Sequence, residues 1–240
     1  MRLTRIYIPN PETQHAIKVE ADAAHHLIQV LRCQVGDCFT AFDGQGHEFE
    51  AQILTISKKS LMVTLTAKVT PAVESKLAIH LAQSLVKRDK MDYIIQKAVE
   101  LGVTQITPIV TQHTDIQLNT EQQFKKHQHW QHIMISACEQ CGRSWLPTLN
   151  TITAFQTLIH QASTPTILLH PHAGLSLSSW ESSSTTITVL IGPEGGFSEA
   201  EVILAQQYSI PSLRLGPRVL RTETASVAAI AALQVCWGDF

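Results

Sequence analysis

The chain has 240 residues, 44% of them hydrophobic and 16% charged, with a formal net charge of −2 when its histidines are neutral. That is enough apolar material for one large domain or two modest ones, and it excludes a disordered chain. The slight acidic balance excludes a globally basic nucleic-acid binder but leaves room for local patches.

The apolar runs are too short to cross a bilayer. The opening "MRLTRIYIPNPETQ" has no apolar h-region, so a cytoplasmic protein without a membrane partner is expected. Basic patches occur at Lys58 with Lys59, at Lys87, Arg88 and Lys90, at Lys125 with Lys126, and at Arg218 with Arg221. Taken singly, each patch is more often a solvated face than a phosphate track.

In chain order, the first seventy residues read mostly as strands. "FEAQILTIS" alternates Phe49, Ala51 and Ile53 with polar neighbours, and "SLMVTLTAKV" does the same. "DGQG" at 43–46 is a turn between strands. One helix interrupts, "DAAHHLIQVLR", with Asp22 placed as N-cap and "VGD" ending it. Residues 1–70 are therefore expected to form a small β-barrel.

After "VTPAVES" at 69–75 the pattern becomes strand–helix alternation. "LAIHLAQ" is a strand. "KRDKMDYIIQKAVELG" carries Met91, Ile94, Ile95, Ala98 and Leu101 at helical spacing and ends on Gly102. "QITPIV" is a strand, followed by a long helix from about 120 to 141, then strands at "TILLH" and "TITVLIG". "SEAEVILAQQYS" opens a helix with Ser198 as N-cap, and "SLRLG" is the last strand. Such alternation over 73–240 builds a mostly parallel sheet with helices on its faces. "LSLSSWESSST" at 175–185 reads as a polar connecting loop. The final helix, "TETASVAAIAALQVC", is small and apolar from Ser226 to Cys236 and is expected to be buried all round, either by insertion under another part of the fold or at a subunit interface.

Five cysteines in a chain without an export signal make a disulfide framework unexpected. "CEQC" at 138–141 lies inside a helical pattern. His127, His129 and His132 on the same helix could join Cys138 in a zinc site, but a polar helix face accounts for them, and no metal is expected.

Two stretches carry the chemistry, "IGPEGGFS" at 191–198 and "LGPRVLRTETAS" at 215–226. Each follows a short apolar strand, where ligands of open parallel sheets bind. Their glycines allow close backbone approach and the prolines stiffen it. Neither turn has the lysine and Ser/Thr of a P-loop or GxGxxG spacing, so a nucleoside-like ligand fits better than a polyphosphate. Arg221 stands just before Thr222, the expected N-cap of the last helix. A cation there opposes the helix dipole at a cost of ~0.3–1 kcal/mol if exposed. Its partner is either a carboxylate, Glu223 or Glu194, or a bound anion.

At these residues the chain resembles the ribosomal RNA small subunit methyltransferase E family of the SPOUT superfamily. The motifs are "LIGPEGGFSEAEV" and "LGPRVLRTETA", supported by "HHLIQVLRCQVGD", "DGQGHEFEAQI", "QSLVKRDKMDYIIQKAVELGVTQITPIVT" and "SACEQCGRSWLPTL". The resemblance implies an N-terminal PUA-like β-barrel that binds RNA, then a SPOUT α/β domain with a C-terminal trefoil knot. It further implies S-adenosylmethionine as cofactor, a homodimer, and methylation of N3 of a uridine in 16S rRNA within the small ribosomal subunit.

Carried onto this sequence, the cofactor-binding residues are Leu169, His170, Leu190, Ile191, Gly192, Pro193, Gly195, Gly196, Leu215, Gly216, Val219, Leu220 and Thr222. Arg221 is assigned to the uracil oxygens or a phosphate, with Glu223 or Glu194 as proton acceptor or orienter. RNA contacts are expected from Arg143, Arg218, Lys87 and Arg88, with Arg143 supplied across the dimer. Two other functions remain open at this point, ribose 2′-O methylation of RNA and non-catalytic RNA binding.

Overall fold

The alternation in the first seventy residues becomes a five-stranded sheet. A computed structural model describes residues 4–9, 11, 16–19, 21–69 and 74–240. Strands β1 (Arg5–Tyr7), β2 (Ile17–Val19), β3 (Cys38–Phe42), β4 (Glu48–Ile56) and β5 (Leu61–Val69) pair in the order β1-β3-β4-β5-β2, with only β1 and β3 parallel. Phe49, Ala51 and Ile53 point into the core with Phe39, Ala41, Leu61, Val63 and Leu65. Register shifts in β4 at Glu50/Ala51 and Ile53/Thr55 are bulges, which increase the local bend of a sheet.

The helix of this region departs from expectation. It is a short α1 (Ala21–His25) running straight into a π-helical turn at His26–Val30. Because α1 starts at Ala21, Asp22 lies inside the first turn and not at the N-cap. The Asp22 side chain lies outside the described residues.

This first unit also takes in a distant segment, Ile135–Leu146. Arg5 explains much of the attachment. Its guanidinium donates to Glu48 at 2.6 Å, to Ser144 Oγ at 3.0 Å and to the Arg143 carbonyl at 3.3 Å. The 43–46 turn adds backbone bonds, from Leu146 N–H to the Gly44 carbonyl at 2.9 Å and from Gly46 N–H to the Ser144 carbonyl at 3.0 Å. The unit is therefore discontinuous in sequence.

The second unit holds the remainder, Glu74–Met134 and Pro147–Phe240. Its elements are β6 (Ala78–Ser84), α2 (Arg88–Glu100), β7 (Val103–Val110), α3 (Thr120–Cys141, whose last turns belong to the first unit), β8 (Thr148–Leu149) and β9 (Thr153–Ala154). Then follow α4 (Phe155–His160), β10 (Thr166–Leu169), β11 (Leu175–Ser176), β12 (Thr186–Ile191), α5 (Glu199–Gln207), β13 (Ser212–Arg214) and α6 (Thr222–Trp237). The sheet runs β11-β13-β10-β12-β6-β7-β8, with β9 also on β7, and every pair is parallel.

Helical spacing in α2 buries Met91, Ile94, Ile95 and Ala98, and the helix ends before Gly102 as expected. Ser198 caps α5 in a full capping box with Glu201, so each satisfies a backbone N–H of the other.

One expectation for the second unit is corrected. The "LSLSSWESSST" stretch is not wholly loop, since it contains β11 and a 3₁₀ turn at Leu177–Ser179 with Leu177 buried. Helix α6 is buried along one side within the single chain, which leaves both insertion under the fold and a subunit interface open for the other. Ser226, Ala229, Ile230 and Leu233 are buried, on a helix that contacts α2 and β12, whereas Val235 is 65% exposed and Cys236 is exposed. Among the described residues no helix is long and apolar enough to cross a membrane.

Candidate active site

In the order β13-β10-β12 the three strands end side by side, so the residues after Leu169, Ile191 and Arg214 meet at one edge. They border a cavity of about 610 Å³. Both glycine–proline turns line it. So do Leu169, His170, Ile191, Gly192, Pro193, Gly195, Gly196, Leu215, Gly216, Val219, Leu220 and Thr222 from the expected cofactor set. Leu190 does not. Strand alternation turns it away into the core, where it is fully buried.

Close packing fixes the first turn. A Cβ on Gly192 would stand 3.2 Å from the backbone of Gly196 and Phe197, so no larger residue fits without moving main chain. The Gly192 carbonyl accepts from Thr222 Oγ1 at 2.7 Å, and that hydroxyl accepts from Gln83 Nε2 at 3.2 Å. Gln83 is fully buried and its own oxygen accepts from Ser226 at 2.7 Å. A satisfied polar chain of this kind rigidifies what it touches. On the other side His113 Nδ1 donates to the Gly195 and Gly196 carbonyls, both at 3.1 Å. The second turn needs glycine for another reason, since Gly216 has φ +130°.

Thr222 thus bonds the first turn and is not the cap of α6. The N-cap is Arg221 itself, and its side chain makes no capping bond. Arg221 is exposed at the cavity, and among the described residues it has no ion pair or hydrogen-bonded partner. The expected carboxylate partners are taken by another cation. Lys90, from the first turn of α2, pairs with Glu194 at 2.8 Å and stands 3.6 Å from Glu223.

The pairing sets the charges. Partial burial acts to raise the Glu194 carboxyl, but the hydrogen bond from Lys90, with its charge and that of Lys87, holds it below the usual carboxylate range. The Lys90 ammonium is raised in turn, chiefly by that bond. His170 also lines the cavity, and burial together with neighbouring His172 lowers its pKa.

Glu194, Arg218 and Arg221 line the cavity; Glu223 does not line it but meets Lys90 at its edge. Lys87 is exposed and outside the lining, and the side chain of Arg88 lies outside the described residues. Arg143 sits in the first unit with its carbonyl bonded by Arg5. Sequence reasoning named Lys90 only as part of a charge patch and missed Gln83 and His113. Only the buried polar identity of Gln83 within an apolar strand could have flagged it.

The histidines of α3 disperse, His127 to the Leu149 carbonyl at 3.1 Å and His129 to Asp92 at 2.8 Å. Among the described residues no three His, Cys, Asp or Glu side chains form a metal-sized cluster.

The cavity suits an adenosyl group. Leu169, Leu213, Leu215 and Ile191 offer apolar walls, and the glycine turns bring main chain rather than side chains to the surface.

The RNA methyltransferase domain model matches residues 73–234, and an RNA methyltransferase PUA domain matches 19–66. The chain is 36% identical to the ribosomal RNA small subunit methyltransferase E of Buchnera aphidicola subsp. Schizaphis graminum, over 99% of this chain and 98% of the relative. Among solved structures it is similar to a methyltransferase from Legionella pneumophila with the cofactor SAM bound, at TM-score 0.97 and 36% identity over 100% of both chains. It is also similar to the Neisseria gonorrhoeae ribosomal RNA small subunit methyltransferase E bound to S-adenosyl methionine, at TM-score 0.92 and 33% identity over 100% of both. With a PUA domain ahead of an α/β methyltransferase domain, and matches that run end to end, the chain belongs to the ribosomal RNA small subunit methyltransferase E family.

Proposed function

We propose that this protein is an S-adenosylmethionine-dependent methyltransferase that modifies N3 of a uridine in 16S rRNA, working as a homodimer on the small ribosomal subunit in the cytoplasm. The observation that carries this reading is the glycine-walled cavity with Arg221 at its edge, free of any anion among the described residues. When bound, the cofactor supplies an electrophilic sulfonium methyl.

The chain's own residues do the rest. The turns at 192–196 and 215–220 would hold the adenosyl group, and the Gln83–Thr222 chain keeps the first of them in place. N3 of uracil becomes a good nucleophile only as its proton leaves, and negative charge then spreads to O2 and O4. Arg221 donates to one of those oxygens or to the adjoining phosphate. Glu194, which lines the cavity, or Glu223, whose Oε2 accepts no hydrogen bond, takes the proton or orients the base. The first unit grips RNA, with Arg218, Lys87 and Arg88 adding contacts and Arg143 serving the site of the other protomer. The reading includes a trefoil knot in the chain beyond β10; the placement of β10 between β13 and β12 supports it.

The test is methyl transfer from labelled cofactor to small subunits and to naked 16S rRNA, followed by mapping of the modified nucleoside. The expected product is 3-methyluridine, formed faster on assembled subunits. A ribose-methylated product would replace the base assignment. Cofactor binding without transfer to either RNA would mark a non-catalytic binder.

A further inference from the structure

Arg221 should not be free. Two carboxylates lie close to it in sequence or across the cavity, Glu223 two residues on and Glu194 on the facing turn. A guanidinium offers a planar fork that matches a carboxylate bidentately, so Arg normally outcompetes Lys for such partners. Here the order is reversed. Lys90 reaches from the start of α2, bonds Glu194 at 2.8 Å and stands 3.6 Å from Glu223, while Arg221 and Arg218 face the cavity with no partner among the described residues.

Helix geometry compounds the oddity. Arg221 sits at the N-cap of α6 and Lys90 in the first turn of α2, the two ends where a cation is least favoured. Lys90 offsets this by taking two anions. Arg221 is left with none, at an exposed position beside the cavity. An arrangement that strands one cation while saturating its neighbour prepares the stranded one for an anion from outside the chain.

We infer that Lys90 is a positioning residue for methyl transfer: it holds Glu194 and Glu223 away from Arg221, so that the guanidinium reaches the substrate unpaired. The inference rests on the reading that Arg221 acts on the RNA substrate. Without Lys90, Glu194 or Glu223 pairs with Arg221, and substrate must break that pair before the guanidinium can be used.

Three variants test this, Lys90→Met, Lys90→Arg and Lys90→Met combined with Glu194→Gln. Two readouts are needed. One is the single-turnover rate of methyl transfer to small subunits at saturating cofactor. The other is the side-chain Nε–H resonance of Arg221 in cofactor-free protein labelled with ¹⁵N-arginine.

Lys90→Met is expected to slow transfer at least tenfold, leave cofactor Kd within about threefold, and shift the Arg221 Nε–H proton downfield as a carboxylate captures it. Lys90→Arg should keep the rate within about threefold and the resonance in place. Adding Glu194→Gln to Lys90→Met should return the resonance at least partway. Lys90 is part-exposed, so these variants should fold, and their melting temperatures check that.

A Lys90→Met protein that transfers at the wild-type rate overturns the inference. So does a slow one whose Arg221 resonance stays put, since Lys90 would then be a direct contact. The underlying reading fails separately, if Arg221→Ala itself transfers normally.

Discussion

The second unit holds two cavities of nearly equal size toward opposite ends of the same sheet. The one described above, about 610 Å³, lies beyond the carboxyl ends of the strands. The other, about 630 Å³, lies toward their amino ends and is lined by His80, Thr107, Asn150, Thr166, Thr186 and Thr188 among others, with no Lys, Arg, Asp or Glu.

Its central polar groups bond one another. His80 bonds Thr107 at 2.7 Å and Thr188 at 3.3 Å, Asn150 donates to Thr107 at 2.7 Å, and Thr164 meets Thr188 at 3.0 Å. At the first cavity, Arg218 and Arg221 have no such partners among the described residues. Volume therefore does not distinguish the two. Uncommitted charge does, because only groups without an internal partner gain by meeting a ligand.

The sharpest way to break this comparison is Arg221→Ala. If the unpaired guanidinium stabilises charge developing on uracil, transfer should slow roughly a hundredfold to a thousandfold while cofactor affinity and melting temperature barely move. Arg221→Lys should recover only part of the loss, because a point charge lacks the fork. Single-turnover kinetics beside calorimetric cofactor titration will show it. Parallel losses in rate and stability would make Arg221 structural and erase the contrast.

At the other cavity the expected effect is on stability alone. Burial lowers His80 from 6.5 to about 4. Between those values the unfolded chain binds a proton that the folded protein refuses, so stability falls as pH drops from 6.5 toward 4. This one group accounts for up to about 3 kcal/mol of that loss, at ~1.4 kcal/mol per pH unit. His80→Gln should flatten that part of the denaturation-versus-pH curve whatever its effect at neutral pH. Transfer by the folded variant at pH 7.5 should stay within about threefold of wild type. A large rate loss would show that the hydroxyl-lined cavity also serves the reaction.

The smallest effect sharpens the comparison from the cofactor side. Gly216 holds φ +130°, where a Cβ costs about 1–2 kcal/mol although no neighbour crowds it. Gly216→Ala should weaken cofactor binding about tenfold by distorting the turn, and the same strain should lower the melting temperature by a few degrees. Equal affinity in the variant would mean that the turn does not bear on the ligand.

Much of this was legible in the sequence because local periodicity carries it. The alternation of Phe49, Ala51 and Ile53 and the spacing of Met91, Ile94, Ile95 and Ala98 specify which faces turn inward, and the structure buries them so. Ser198 announced the N-cap of α5, and the structure adds Glu201 to complete the capping box. Short elements left no period to read: α4 has six residues, and β8, β9 and β11 have two each.

The glycine turns identified the cavity, yet the side chains around it were less readable. Leu190 sits inside the motif but alternation buries it, and Thr222 bonds the first turn where a cap was expected. Charge pairing was hardest. Nothing near residue 221 reveals that a lysine 104 residues from Glu194 has already claimed that carboxylate. Such choices depend on which helix ends meet in space, and sequence spacing does not record that.

The excursion of residues 135–146 bears on how proteins of this build can be recombined. Cys138 and Ala137 are buried and Ser144 is bonded by Arg5, all within the first unit. A cut at residue 73 therefore does not separate two interchangeable cassettes. A fragment starting there keeps the strip and loses what covers it, while a grafted donor barrel meets a strip shaped for another. Chimaeras should tolerate exchange only when both pieces travel together, so that each swapped barrel arrives with its own residues 135–146.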